Sequence, residues 1–122
     1  MAKKILLVDD AIVVRIMLKE ILTPLGYEVV AEAKNGKEAA EMYAEFKPDI
    51  VTMDIIMPIV DGLEGLEAIM KLNPKAKVVM LTAVGQERAI QKAAELGAKG
   101  FIMKPYNDKE VVEAIEKALA AV

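Results

Sequence analysis

Short apolar runs alternate five times with segments of helical periodicity along this chain. The runs are rich in β-branched residues, and they are Ile5–Val8, Val29–Ala33, Ile50–Met53, Val78–Leu81 and Phe101–Met103. Unbroken runs of this kind are typical of strands that are covered on both faces, as in a parallel sheet. They predict a buried sheet of five strands at the centre of the protein.

The segments between the runs carry apolar residues at helical spacing. The first segment is predicted to bury one stripe, which consists of Val13, Ile16, Met17, Ile21 and Leu25. Pro24 and Gly26 are expected to end that helix. The later helices are predicted over Lys37–Phe46, from Leu63 to Asn73, from Ala89 to Gly97, and beyond a cap at Asn107 or Asp108. Gly65 conflicts with the third helix, since glycine costs about 1 kcal/mol relative to alanine there.

The alternation predicts an α/β fold of the (βα)5 type, a doubly wound parallel sheet with right-handed crossovers and helices on both faces. Two strand orders fit the pattern, namely a Rossmann-like half and the flavodoxin-like order 2-1-3-4-5. Periodicity does not choose between them. Ligands bind outside the carboxyl ends of the strands in either case, so the residues that follow each strand are the candidates for function.

Acidic, hydroxyl and lysine side chains follow four of the five predicted strands. They are Asp9, Asp10, Asp54, Thr82 and Lys104. Carboxylates brought together at one sheet edge repel one another unless a cation lies between them. Mg²⁺ accepts one or two carboxylates together with waters and a phosphate oxygen, and a lysine and a hydroxyl suit the other oxygens of a tetrahedral anion. The pattern therefore predicts Mg²⁺ and transfer of a phosphoryl group to a carboxylate.

Composition excludes several other classes of protein. The chain has 122 residues, which predicts a single domain over residues 1–122. It contains no cysteine and no histidine, which excludes disulfide frameworks, zinc fingers and catalysis by either residue. The net charge of −3 is spread along the chain and argues against a nucleic-acid partner. No leader and no apolar run of about 18 residues is found, so we expect a cytoplasmic protein without a membrane partner.

The motifs at the strand ends resemble those of the response-regulator receiver domain family. Leu6–Asp10 resembles its acidic opening, and Asp54–Gly62 resembles its phosphorylation loop. Leu81–Ala83 and Lys104-Pro105 resemble its two remaining motifs. The combination is highly specific and the resemblance spans most of the chain, with the single-domain regulators of chemotaxis the most similar members. It implies the strand order 2-1-3-4-5 and a phosphorylation-dependent switch of a two-component pathway.

The resemblance also implies roles for residues around the acceptor. Asp54 would receive the phosphoryl group, and Asp9, Asp10, Asp54 and the carbonyl of Ile55 would hold Mg²⁺. Ile56, two residues after Asp54, is implied as a cofactor-binding position. Many relatives carry a polar side chain at Ile56 or at Val84, two residues after Thr82, that positions the hydrolytic water, so the two aliphatic residues predict slow self-dephosphorylation.

A second set of residues is implied in signalling. Lys104 would pair with the phosphoryl group from a cis Lys104-Pro105 peptide, while the Thr82 hydroxyl and the Ala83 amide move toward it. Tyr106 would swing inward behind Thr82 and change the face formed by the fourth helix, the fifth strand and the fifth helix. The implied partners are a histidine kinase and a downstream protein target, such as the flagellar motor switch of chemotaxis. The protein is expected to be a monomer that turns over no external substrate.

Three alternatives stay open from the residues alone. A phosphatase of the haloacid-dehalogenase type also uses an aspartyl phosphate and Mg²⁺, but it needs an acid where this chain has Ile56. A flavin or nucleotide module needs a glycine- or hydroxyl-rich first turn, and Asp9 and Asp10 would repel its phosphate. A designed or reconstructed scaffold of the same kind would keep the same site chemistry.

Overall fold

Five strands form one parallel sheet in the computed structural model, which describes residues 2–121. They are β1 (Lys4–Val8), β2 (Glu28–Ala33), β3 (Ile50–Asp54), β4 (Val78–Thr82) and β5 (Gly100–Met103). Each predicted strand is confirmed and is one residue longer than its apolar run. The order is β2-β1-β3-β4-β5, which confirms the flavodoxin-like alternative that the resemblance favoured.

Helices cover both faces of the sheet, as predicted. They are α1 (Ile12–Leu22), α2 (Gly36–Phe46), α3 (Gly62–Leu72), α4 (Glu87–Leu96) and α5 (Asp108–Ala120). Helices α2, α3 and α4 pack on one face through one buried apolar cluster, and α1 and α5 pack on the other through a second. Asn107 caps α5 by accepting from the Glu110 amide, and Gly97 ends α4 in the left-handed conformation. Within residues 2–121, no helix is long and apolar enough to cross a membrane.

The predicted buried stripe of the first helix is wrong. Val13 and Ile16 are 72% and 46% exposed, whereas Leu18 and Leu22 are fully buried. The helix is apolar around most of its circumference, so periodicity alone could not identify the face that packs on the sheet. The core side of α1 also includes Arg15, which a pattern of apolar residues counts as a surface position. The helix ends at Leu22, before the 3-10 turn that contains Pro24.

Close packing of α2 against α3 explains the glycine that conflicted with helix propensity. A Cβ atom on Gly65 would lie 2.8 Å from the Cα of Gly36 and 2.9 Å from the sulfur of Met53. Both distances are well inside van der Waals contact, so an alanine would push the two helices apart. The entropic cost of glycine in α3 is therefore offset by a helix contact that no larger residue permits.

Candidate metal centre

The strand register brings the predicted site residues to one edge of the sheet. Val8 of β1 lies opposite Met53 of β3, so the residues that follow them, Asp9 and Asp54, are neighbours. Thr82 ends β4, and Lys104 follows β5. Carboxylate oxygens of Asp9, Asp10 and Asp54 lie within 4.8 Å of one another. The sequence prediction that these three acids meet is confirmed.

Asp9 is the most constrained of the three acids. It is 1% exposed, its amide donates to the Ala33 carbonyl at 3.0 Å, and its Oδ1 accepts from the Ala11 amide at 2.8 Å. Its Oδ2 is buried and has no hydrogen-bond partner among residues 2–121. Burial raises the pKa of Asp9, and the charges of Asp54 and Asp10 raise it further, against the lowering effects of the Ala11 amide and Lys104. The ionised side chain is therefore held at an energetic disadvantage.

These donors fit a hard divalent cation. All three side chains offer oxygen, which is the ligand type that Mg²⁺ prefers, and a buried orphan oxygen of Asp9 lies among them. Asp10 is exposed, which leaves one side of the cluster open to the waters that Mg²⁺ retains. A cation would remove both the repulsion and the unsatisfied oxygen in one step.

Among residues 2–121, Lys104 is the cationic side chain that contacts the predicted acceptor. Its Nζ lies 3.3 Å from Oδ2 of Asp54, and the side chain is 37% exposed against 11% for Asp54. The Lys104-Pro105 peptide is cis, as the resemblance implied. The ammonium group is thus at the mouth of the site, in contact with the carboxylate that is expected to carry the phosphoryl group.

The two expected anion donors of the β4 end are engaged elsewhere. The Thr82 hydroxyl donates to the Ile102 carbonyl over a long 3.4 Å, and the Ala83 amide donates to Oε1 of Gln86 at 2.7 Å. Gln86 was missed in the sequence analysis. Its only signal there is a polar side chain three residues beyond a strand-end amide, which is a common capping arrangement. An incoming phosphoryl group would have to displace both contacts.

The loop after β3 contains the main-chain carbonyl that is expected to be the neutral metal ligand. The Ile55 carbonyl accepts from the Gly62 amide at 2.7 Å, which uses one of its two lone pairs. A Cβ atom on Gly62 would lie 2.0 Å from the Asp54 carbonyl oxygen, so only glycine allows this turn. Ile56 is 66% exposed, and within the described chain its carbonyl accepts no backbone hydrogen bond from a loop or turn. Ile56 therefore offers the less encumbered carbonyl of the two.

Tyr106 is half-buried against the apolar cluster beneath α1 and α5. Burial raises its pKa to about 12, with further contributions from the charges of Asp9 and Asp54. The phenol is therefore protonated at neutral pH and lies close enough to the acidic cluster to sense its charge.

Comparison with known proteins identifies relatives over nearly the whole chain. The family model for the response regulator receiver domain matches residues 5–116. The chain is 51% identical to the chemotaxis protein CheY of Thermotoga maritima, over 96% of this chain and 98% of that protein. It is 49% identical to the CheY of Bacillus subtilis, over 98% and 99% of the two chains. The crystal structure of the CheX-CheY-BeF3-Mg²⁺ complex of Borrelia burgdorferi matches with a TM-score of 0.92 and 33% identity, over 98% of this chain and 90% of that one.

The raised pKa of Asp9 predicts a pH-dependent gain in stability for Asp9→Asn without metal. Between the ordinary and the raised pKa, the unfolded chain has lost a proton that the folded chain keeps, so stability falls as pH rises through that window. We expect the variant to exceed wild type in the free energy of unfolding by about 1–3 kcal/mol at pH 7 in a chelator. The difference should largely vanish near pH 3, where Asp9 of wild type is mostly protonated in both the folded and the unfolded state.

Denaturant unfolding at pH 7 and pH 3 measures this difference. Glu41→Gln removes an exposed acid of α2 and controls for net charge. A variant no more stable than wild type at pH 7, or a gain that persists at pH 3, would contradict the assignment of an unrelieved charge to Asp9.

Proposed function

The chain belongs to the response regulator receiver domain family and acts in phosphorylation-dependent two-component signalling, and we propose that Asp54 is its phosphoacceptor. The observation that carries this proposal is the meeting of Asp9, Asp10 and Asp54 oxygens within 4.8 Å, with Lys104 at 3.3 Å from Asp54. Asp54 is the member of the cluster that ends the central strand β3 and contacts the lysine. Its carboxylate is the natural nucleophile of this site.

The metal-binding part of the site consists of the three acids and one main-chain carbonyl. We assign the cation as Mg²⁺, held by Asp9, Asp10 and Asp54, with Ile56 or Ile55 supplying the carbonyl. When bound, Mg²⁺ would neutralise the carboxylates and offset the charge that develops on the transferred phosphoryl oxygens. A beryllofluoride and Mg²⁺ complex of the Borrelia burgdorferi relative supports this choice of metal.

Phosphoryl transfer then requires little covalent chemistry from the chain. An Asp54 oxygen forms a bond to phosphorus while the bond from phosphorus to the donor nitrogen or oxygen breaks, and the donor leaves with that electron pair. Lys104 pairs with a phosphoryl oxygen in place of the Asp54 carboxylate. The Thr82 hydroxyl and the Ala83 amide leave Ile102 and Gln86 to donate to the others.

These exchanges of hydrogen-bond partners are the physical basis of the proposed switch. A new dianion at Asp54 recruits donors that the resting protein uses elsewhere, and it lies near the Tyr106 phenol. We infer that Tyr106 changes position as Thr82 moves, and that the surface of α4, β5 and α5 changes with it. A single charge-assisted hydrogen bond of about 1.5–3 kcal/mol shifts such an equilibrium by an order of magnitude or more.

The chain is a signalling protein and not a classical enzyme. A dehalogenase-type phosphatase would need an acid at Ile56, and residues 2–121 form only the receiver fold. The CheY relatives support a place in a chemotaxis pathway, with a histidine kinase as donor and a protein target such as the flagellar motor switch. We further propose a cytoplasmic monomer in which residues 1–122 form one receiver domain.

Asp54 is tested directly by phosphorylation from a small donor. Acetyl phosphate with Mg²⁺ should add one phosphoryl group to wild type, and peptide mapping should place it on Asp54. Asp54→Asn should not be labelled, because an amide is a poor nucleophile. Asp61→Asn is the matched control in the same loop, since asparagine caps α3 as well as aspartate does, and it should be labelled normally. Equal labelling of wild type and Asp54→Asn would disprove the assignment.

The aliphatic residues beside the acceptor predict a long-lived phosphoryl group. Ile56 and Val84 are 66% and 80% exposed, each two residues beyond a predicted phosphoryl contact, and neither can orient water by a hydrogen bond. Ile56→Asn and Val84→Glu should each speed single-turnover dephosphorylation by about ten- to a hundredfold, the effect of gaining one oriented water. Ile59→Asn makes the same kind of change farther along the loop and should leave the rate unaltered. Unchanged rates in both test variants would show that side chains here do not control hydrolysis.

A further inference from the structure

Arg15 is a buried cation that the proposed phosphoryl transfer does not use. It is 7% exposed on the core side of α1. Its Nε donates to Oε1 of Glu32 at 2.8 Å, and its Nη1 donates to the main-chain carbonyl of Asp9 at 2.5 Å. One guanidinium group thus joins β2, α1 and the turn that presents the acidic pair.

Stability alone is a poor reason for this arrangement. The Arg15–Glu32 pair is only partly buried, with side-chain exposures of 8% and 30%, and ion pairs that are open to solvent typically contribute little to stability. Glu32 also bonds to Lys19, which is 41% exposed and reaches no atom of the acidic turn among the contacts of the described residues. The contact that sets Arg15 apart is therefore the one to the carbonyl of a metal-ligating residue.

We propose that Arg15, oriented by Glu32, is a positioning residue that fixes the Asp9-Asp10 turn for Mg²⁺ binding. This inference rests on the proposed function, since it takes these acids as ligands. Asp9 is already held at its amide by Ala33 and at Oδ1 by Ala11. Arg15 holds the remaining main-chain polar atom, so that the unpartnered Oδ2 stays directed into the cluster.

Preorganisation of this kind has a measurable consequence. Without the hydrogen bond from Arg15 to the Asp9 carbonyl, the turn between β1 and α1 can rotate. Part of the free energy of metal binding is then used to order the ligands, so the affinity falls. Groups that orient metal ligands typically affect affinity by tenfold or more when they are removed. Simple electrostatics predicts the opposite sign, because removal of a buried positive charge near the site should favour a cation. The two explanations are therefore separable by the direction of the change.

The test is a Mg²⁺ titration of the full chain, followed by backbone amide chemical shifts, at constant ionic strength. Wild type, Arg15→Met and Lys19→Met are compared, since both variants lose one positive charge and one partner of Glu32. Arg15→Met should bind Mg²⁺ about tenfold more weakly than wild type. Lys19→Met should match wild type. Amide hydrogen exchange at Ala11 in the metal-free proteins should be faster only in Arg15→Met.

A double variant, Arg15→Met/Glu32→Leu, removes both members of the pair and so controls for any loss of folding caused by removal of Arg15 alone, although Glu32 keeps its contact with Lys19 in the single variant. It should fold and still bind Mg²⁺ about tenfold more weakly. Unchanged or tighter binding in either Arg15 variant would overturn the inference, as would failure of both to fold, because the pair would then serve the fold itself. If wild type binds no Mg²⁺, the proposed metal site fails together with the inference.

Discussion

Mutual repulsion among three carboxylates is the constraint on which this site depends. Asp9, Asp10 and Asp54 place oxygens within 4.8 Å of one another, and the Asp9 side chain is almost completely buried. Like charges at this separation repel one another, and together with burial this repulsion raises the pKa of Asp9. Lys104, which follows β5, supplies part of the compensating positive charge, and the Ala11 amide donates a hydrogen bond to Asp9. The parallel sheet makes the conflict unavoidable, because it brings the carboxyl ends of β1 and β3 side by side.

The same constraint makes the site responsive to ligands. A cation would relieve the repulsion, and the proposed phosphoryl group on Asp54 would add negative charge beside hydrogen-bond donors that are already paired. Gln86 holds the Ala83 amide, and Ile102 holds the Thr82 hydroxyl at a long distance. The Thr82 contact is long at 3.4 Å and Gln86 is partly exposed, whereas the apolar clusters behind them are closely packed and resist gradual deformation. Under the proposed function, a local change in charge would thereby select between two arrangements of the β4 end.

Much of this could be predicted from the sequence because the decisive features are local. Buried parallel strands leave unbroken apolar runs, so all five strands were found to within one residue, and the acids follow two of those runs directly. The strand order could not be derived from periodicity, since it depends on contacts between distant segments. It was predicted only through the family resemblance, and the structure confirms it.

The failures share a different physical cause. The buried face of α1 was misassigned because its core side includes Arg15, whose burial depends on Glu32, 17 residues away. Gln86 was missed because a glutamine gives no sign in the sequence of which amide it will cap. Gly65 did show a conflict, but its explanation required the approach of Gly36 from another helix. In each case the role of the residue depends on which specific atom it contacts, and patterns of apolar spacing carry no information about such contacts.

The most direct test of the central claim is the stability of wild type as a function of Mg²⁺ at constant ionic strength. If the acidic cluster binds Mg²⁺ in the folded state, the free energy of unfolding should rise by about 1.4 kcal/mol for each tenfold increase in Mg²⁺ concentration above the dissociation constant. Replacement of Mg²⁺ by an equal ionic strength of NaCl should give no such rise. A curve that is identical in the two salts would contradict the claim that the acidic cluster is built around a divalent cation.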